Sequence, residues 1–529
     1  MNKHEAVLYK LSEINDGEMK EISIGETPIL LTRVNGKCNA IGARCTHYGA
    51  PLVDGALVDG KIICPWHHAC FNAETGDLVE PPALDALPNY PLRIDGDDIY
   101  IEISDDMADR RTPQMAIADT AADTRLFAIL GGGAAGYMAA QTLREDGFTG
   151  RILLITGEKR TSYDRPNLSK DYLFGEAEPE WMPLRSDEFY EDHGIEILLS
   201  RTAVSLDASA KTITFSDGQE MIFDRLLIAT GGAPRSLNLP GASLRNIFTL
   251  RSFDSADEII AAAEDAKRAV IIGASFIGME AAASLRKRGL SVTVVAPDTV
   301  PFERTLGPEI GALFRRMHES NGVEFRLEDH AVRFEGEGKV QSAVLASGEI
   351  LEADLVLIGV GVTPATGFLH GFELHKDGGV IADKHLRIAD DIYAAGDIVH
   401  FPDARSGESF RIEHWRTALQ QGRIAAHNMA GIETVYDSVP FFWTRQFDST
   451  LNYVGHAKAW DEIVFDGDVT GQDFLAFYVK DGRVLAVAGM NRDRELAQIE
   501  ELMKLDRMPA VQTLKDGGIF AHEASVSQT

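Results

Sequence analysis

Two strand–turn–helix units, each with a glycine-rich turn, constrain this chain more than any other feature. The first leads from the apolar run LFAIL through Gly131, Gly133, Ala134 and Gly136 into a helical stretch, then into RILLIT. The second leads from AVIIG through Gly273, Ser275 and Gly278 into GMEAAASLRKRG, then into SVTVVA. Such a turn lets the backbone approach a diphosphate, whose charge meets the helix N-terminus. The units lie about 140 residues apart and alternate strands with helices. The expected architecture is therefore multidomain, with two Rossmann-like α/β nucleotide-binding domains.

The region before them reads differently. Short strands (VLYKL, ILLTRV, KIICPW, DIYIEIS) are broken by Asn35-Gly36, Asp59-Gly60 and Asp95-Gly96, which predicts a small antiparallel β domain. All four cysteines, Cys38, Cys45, Cys64 and Cys70, lie here. Clustering in one small region points to a metal site rather than a disulfide scaffold. Cys45-Thr46-His47 is followed after 16 residues by Cys64-Pro65-Trp66-His67. A Rieske [2Fe–2S] cluster needs two thiolates and two imidazoles, and each arm offers one of each. A zinc finger would place both cysteines in one arm and both histidines in the other. Cys45, His47, Cys64 and His67 are thus the expected metal ligands. Cys38 and Cys70 read as small buried hydrophobes.

The stretch CTHYGAPLVDG…ICPWHHACFNAETG resembles the Rieske ferredoxins of aromatic-ring dioxygenase systems, over roughly residues 5–104. The Rieske proteins of quinol-oxidising complexes carry an extra cysteine in each loop. Gly49 or Ala50 and Trp66 stand there instead, so no disulfide forms and a potential low in the Rieske range is expected. His68 replaces the glycine usual in such ferredoxins; it either tunes the cluster or faces solvent, and solvent is the expectation.

Around the first glycine turn, Glu158 lies 22 residues beyond Gly136 and fits the acid that binds a ribose. The segment YDRPNLSK, Tyr163 to Lys170, resembles ferredoxin reductases and apoptosis-inducing-factor-like flavoproteins. That resemblance implies that Arg165 and Lys170 lie along FAD, with Lys170 near the flavin. Further stretches match in the same order: Thr230-Gly231, then Gly396-Asp397, whose Asp would bond the ribityl chain. Glu413-His414-Trp415 with Gln421-Gly422 resembles the segment against the isoalloxazine ring. Gly361 resembles a position flanking the bound nicotinamide nucleotide. Glu280 would contact the nicotinamide carboxamide; alternatively it is a carboxylate favoured by a helix N-terminus. Lys170, Glu280 and Trp415 are the candidate catalytic groups. In NADH-specific relatives the second strand ends in an acid; here it ends at Ala296, with Asp298 as substitute and no Arg beside it. The balance favours NADH, with NADPH the alternative.

The whole chain most resembles Rieske-fused, apoptosis-inducing-factor-like reductases. The expected order is a Rieske domain (1–104), a linker (105–124), an FAD-binding domain split over 125–248 and 366–434, an NAD(P)-binding domain (249–365) and a C-terminal α+β domain (435–529). No cysteine follows position 70, which excludes a redox dithiol beside the flavin. The implied function is electron transfer from NAD(P)H through FAD and the cluster to an acceptor protein, an oxygenase or cytochrome. Two other readings are a flavin that reduces oxygen or a quinone directly, and an NADH-sensing interaction protein that forms a homodimer. A net charge of −30 disfavours nucleic acid as a partner. Without an apolar run of membrane length or a signal peptide, the cytoplasm is the expected location.

Overall fold

The computed structural model describes residues 3–104 and 108–516. The N-terminal part consists of small antiparallel sheets. Asn35 and Gly36 both take positive φ between the strands Thr27–Val34 and Lys37–Gly42, and Asp59 and Gly60 do the same between Ala56–Val58 and Lys61–Ile63. These are the primed turns that match strand twist, and Asn-Gly and Asp-Gly adopt them readily. Leu30, Ile41, Leu52, Ile62 and Phe71 form a core without solvent contact.

Residues 108–124 form no helix or long strand, yet they are held along both neighbours. Arg111 Nε donates to the Leu87 carbonyl at 2.7 Å. The Ala116 and Asp119 amides donate to the carbonyls of Arg144 and Thr149, each at 2.8 Å.

The first nucleotide-binding fold has six strands in the order Ile195–Leu198, Arg151–Ile155, Leu126–Leu130, Arg225–Ile228, Ile392–Ala394, Arg387–Ala389. Its first five strands are parallel, and the strand Ile392–Ala394 arrives only after the second fold has been completed. The second fold is a parallel sheet ordered Ile247–Phe248, Leu355–Ile358, Arg268–Ile272, Ser291–Ala296, Val323–Leu327. Helix α1 (Ala134–Glu145) follows the first glycine turn, helix α2 (Phe276–Lys287) the second, and helix α3 (Trp415–Ala430) closes the first fold. A five-stranded antiparallel sheet from Phe441 to Met490, helix α4 (Asp493–Lys504) and a short helix Val511–Lys515 complete the described chain. No helix among the described residues is long and apolar enough to cross a membrane.

Three parts of the chain meet at one buried cation. Arg416, on α3, has no solvent exposure. It donates to Glu500 on α4 at 2.7 Å, and to Glu80 and the Pro81 carbonyl of the N-terminal domain at 3.3 and 3.2 Å. Lys504 and Gln420 complete the Glu80 carboxylate at 3.1 and 2.6 Å. His68 donates from Nδ1 to the second Glu500 oxygen at 2.5 Å. This corrects the expectation for His68. It does not face solvent but is fully buried, stacked on Phe441 with ring centroids 4.0 Å apart. Its partner lies 432 residues away, so no local pattern announces the contact. Cys38 and Cys70 are buried as expected.

Burial works against the charge on Glu500, but Arg416 and His68 outweigh it and hold the carboxyl down to about 2. An unfolded Glu titrates near 4.3, so this stabilisation is complete above that pH and is lost as pH falls toward 2. Removing one member of a buried ionic group costs about 3–5 kcal/mol, because the remaining charges lose their partner. Arg416→Met is therefore expected to lower stability by that amount in guanidinium unfolding. It should also expose the 108–124 segment to limited proteolysis.

Candidate redox site

The two ligand loops of the N-terminal domain are built alike. In each, the cysteine amide donates to a carbonyl five residues on, Cys45 to Ala50 and Cys64 to Ala69, both at 2.9 Å. In each, the amide four residues on returns to the cysteine carbonyl, from Gly49 at 2.9 Å and from His68 at 3.2 Å. The closing residue has positive φ in both, 77° at Gly49 and 56° at His68. A left-handed backbone costs a non-glycine residue roughly 1–2 kcal/mol. The Glu500 and Phe441 contacts offset that cost at His68.

The loops bring His47 and His67 together with their Nδ1 atoms 3.1 Å apart. Burial pushes the His47 imidazole down to about 3 and that of His67 well below its usual value. Both rings are thus neutral, the form that binds metal. Cys45 and Cys64 are buried and hydrogen-bonded to each other, and this contact, with burial, pushes the Cys45 thiol well up. Two thiols and two ring nitrogens converge, and the donor set fits a Rieske cluster.

The cluster side of the domain lies against the rest of the chain. The His67 ring packs on Trp443 at 4.3 Å, and Trp443 packs on His414 at 5.1 Å. Tyr48 donates to Asp164, and Arg185 pairs with Asp85 at 2.7 Å.

The first glycine turn is tight. A Cβ on Gly136 would fall 1.8 Å from the Gly131 carbonyl oxygen, whereas one on Gly133 would meet nothing within 4 Å. The turn is thus closed toward the helix and open on the side where a diphosphate would lie. Ala134 begins α1. Glu158 accepts from Arg165 at 2.7 Å and from the Tyr163 hydroxyl at 2.5 Å. Asp397, after Gly396, pairs with Arg251 at 2.9 Å. The Thr230 hydroxyl donates to the Ala365 carbonyl at 2.8 Å, and Gly231 follows with φ of 69°. Trp415 is the first residue of α3, directly after His414.

The second turn repeats the geometry. A Cβ on Gly278 would lie 2.3 Å from the Gly273 carbonyl oxygen. Ser275, where a glycine is usual, is accommodated by donating to the Gly359 carbonyl at 3.1 Å. Glu280 is buried on α2 and accepts from Lys170 at 2.8 Å, Ser169 at 2.5 Å and Thr444 at 2.7 Å. Two candidate catalytic groups are therefore one ion pair. Ala296 ends its strand fully covered. Asp298 does not join the Lys170–Glu280 group; it accepts from Arg304 Nε at 2.9 Å. An arginine thus does stand beside Asp298, brought back by the short helix Glu303–Leu306. Gly361 has φ of 93° in the loop before the strand Val362–Pro364. Sequence reasoning missed Trp443, Thr444, Arg251 and Tyr48, whose partners are distant in sequence.

Two glycine-turn nucleotide folds joined to a domain with converging thiol and imidazole donors define a flavoprotein reductase with an iron–sulfur domain of its own. Comparison with known proteins agrees. Residues 126–422 match the pyridine nucleotide-disulphide oxidoreductase family, residues 4–91 the Rieske [2Fe-2S] domain and residues 441–519 the reductase C-terminal domain. Apoptosis-inducing factor 3 of Homo sapiens is 38% identical over 95% of this chain and 84% of its own length. The ferredoxin reductase subunit of the 5,5'-dehydrodivanillate O-demethylase of Sphingobium sp. is 36% identical over 70% of this chain and 91% of its own. The solved covalent complex of putidaredoxin reductase with putidaredoxin matches with a TM-score of 0.73 and 30% identity, over 77% of this chain and 99% of that one. The chain belongs to the pyridine nucleotide-disulphide oxidoreductase family, as a ferredoxin-reductase-like flavoprotein carrying a Rieske domain. It is an NAD(P)H-dependent oxidoreductase that uses FAD and a [2Fe–2S] cluster and delivers electrons to an acceptor protein.

Loss of any one of Cys45, His47, Cys64 and His67 breaks the donor set. His47→Ala is expected to reduce bound iron from two atoms per chain to near zero, measured colorimetrically, with bound flavin unchanged.

Proposed function

We propose that the fused Rieske centre is the first acceptor of electrons from the flavin. The supporting observation is the contact series from His67 to Trp443 to His414, which joins a cluster ligand to the segment beside Trp415. Bound FAD would supply the exchange between a two-electron hydride donor and one-electron transfer.

The chain's own residues prepare this step. The amides of the turn from Gly131 through Gly133 and Ala134 to Gly136 meet the FAD diphosphate, and Glu158 and Asp397 take its hydroxyls. Arg165 fixes the Glu158 carboxylate. Thr230 and Gly231 shape the wall between the two nucleotide sites. Glu280 holds the Lys170 ammonium in place; that ammonium would stabilise negative charge on a flavin bound beside it, and Glu280 would meet the carboxamide of a bound nicotinamide. The turn of Gly273, Ser275 and Gly278, with Gly361 opposite, receives the nicotinamide nucleotide. Trp415 screens the ring from water.

NADH is the preferred donor in this reading. Asp298 engages the guanidinium of Arg304, so Arg304 is not free for a 2′-phosphate. Asp298→Ala is expected to shift the ratio of kcat/KM values for NADPH over NADH upward at least tenfold, read in steady-state assays with each nucleotide. Cys38 and Cys70, which are neither disulfide-bonded nor cluster ligands, fit a reducing compartment such as the cytoplasm.

Electron flow through the cluster is tested with His67→Ala, loaded with FAD. NADH should still bleach the flavin at the original rate, while reduction of cytochrome c falls at least tenfold. Undiminished cytochrome c reduction would take the cluster off the path.

A further inference from the structure

The two histidines meet different surroundings. His67 packs inward on Trp443. His47 lines a cavity of about 170 Å³ together with Thr46, Tyr48, Asp164, Trp181 and Trp415. At the cavity stands Trp181, which is 70% exposed. Tyr48 and Trp66, the neighbours of the two histidines, are 46% and 41% exposed. Large aromatics left in water beside a functional group mark recognition surfaces, where they serve as buried anchors once a partner arrives.

Arg110 and Arg185 line the opening and both pair with Asp85, and the segment that carries Trp181 is strongly acidic. Residues 176–192, which carry Trp181, hold seven exposed carboxylates and a single basic residue, Arg185. Arg185 is committed inward, to Asp85 at 2.7 Å and to the Tyr137 hydroxyl at 2.9 Å. Among the described residues no cation pairs with the acids at 178, 180, 187 or 188. Surface acids elsewhere are commonly paired, as Glu21 with Arg44 and Glu74 with Lys37. Acids kept unpaired around an exposed tryptophan give a field that attracts a cationic surface.

We propose that the Trp181 rim is the docking surface for the external electron acceptor, and that this acceptor is a redox protein with a basic face. This rests on the reading of the cluster as the flavin's acceptor. Electrons reach the cluster from the flavin side, marked by Trp443 and Trp415, and leave toward the exposed Trp181 rim. One NADH gives NAD⁺, one proton and two electrons, so two one-electron acceptors are reduced in succession.

The test uses the full chain loaded with FAD and cluster, with iron and flavin contents checked in each variant. Trp181→Ala and the combined change Glu178→Gln, Glu180→Gln, Asp187→Asn and Glu188→Gln all alter exposed groups outside the cofactor sites. Cytochrome c, a basic haem protein, and ferricyanide, a small anion, are the acceptors. The KM for cytochrome c should rise at least fivefold in Trp181→Ala and at least tenfold in the charge variant. Its dependence on ionic strength should flatten in the charge variant, with kcat and the ferricyanide rate unchanged. An unaltered KM and salt dependence in both variants, with reduction still abolished by His67→Ala, would overturn the docking surface alone. If His67→Ala reduces cytochrome c normally, the path through the cluster fails instead. A changed KM for ferricyanide with that for cytochrome c intact would assign the cavity to a small molecule and end the proposal.

Discussion

The arrangement of this molecule depends on Arg416. Its guanidinium offers donors in a fixed planar fork and uses them toward two other parts of the chain: Glu500 of α4, and Glu80 and the Pro81 carbonyl of the N-terminal domain. A buried cation of this kind adds little net stability, because desolvation consumes much of the Coulomb gain. What it supplies is geometry. A hydrophobic contact tolerates sliding, whereas a buried guanidinium with three acceptors tolerates very little. The Rieske domain is therefore seated in one orientation.

That orientation matters through His68. It closes a cluster loop in a left-handed conformation, where its counterpart in the other loop is Gly49. The same residue reaches Glu500 and stacks on Phe441. The loop that carries His67 is thus tied directly to the ionic junction. Any displacement of the domain would move His67 away from Trp443. Cluster geometry and domain docking are two consequences of one set of contacts.

The reductase half is organised by a second buried pair, Lys170 and Glu280. It bridges the two nucleotide folds, with Thr444 of the C-terminal sheet as a third member. The ammonium is neutralised from one side and left to act on the other. Both pairs place a charge that isolation in low dielectric would not permit, and both do so where separate parts of the chain meet. The functional geometry is accordingly a property of interfaces rather than of any single domain.

Much of this was legible in the residues alone. The spacing of Cys45, His47, Cys64 and His67 determined the metal chemistry, because few centres want one thiolate and one imidazole from each of two loops. Gly136 and Gly278 determined the two glycine turns, because no other residue lets the helix approach the turn carbonyl so closely. Asn35-Gly36 and Asp59-Gly60 determined the hairpins of the first domain. These are local rules, and they act over a few residues. Only the tertiary structure decided that His68 is buried, that Arg304 neutralises Asp298, that Trp443 lies against His67 and that Trp181 stands exposed by His47. Each of these joins groups that no period or spacing relates, or depends on which surface is left uncovered. Packing sets such contacts, and packing is settled only when the whole chain has closed.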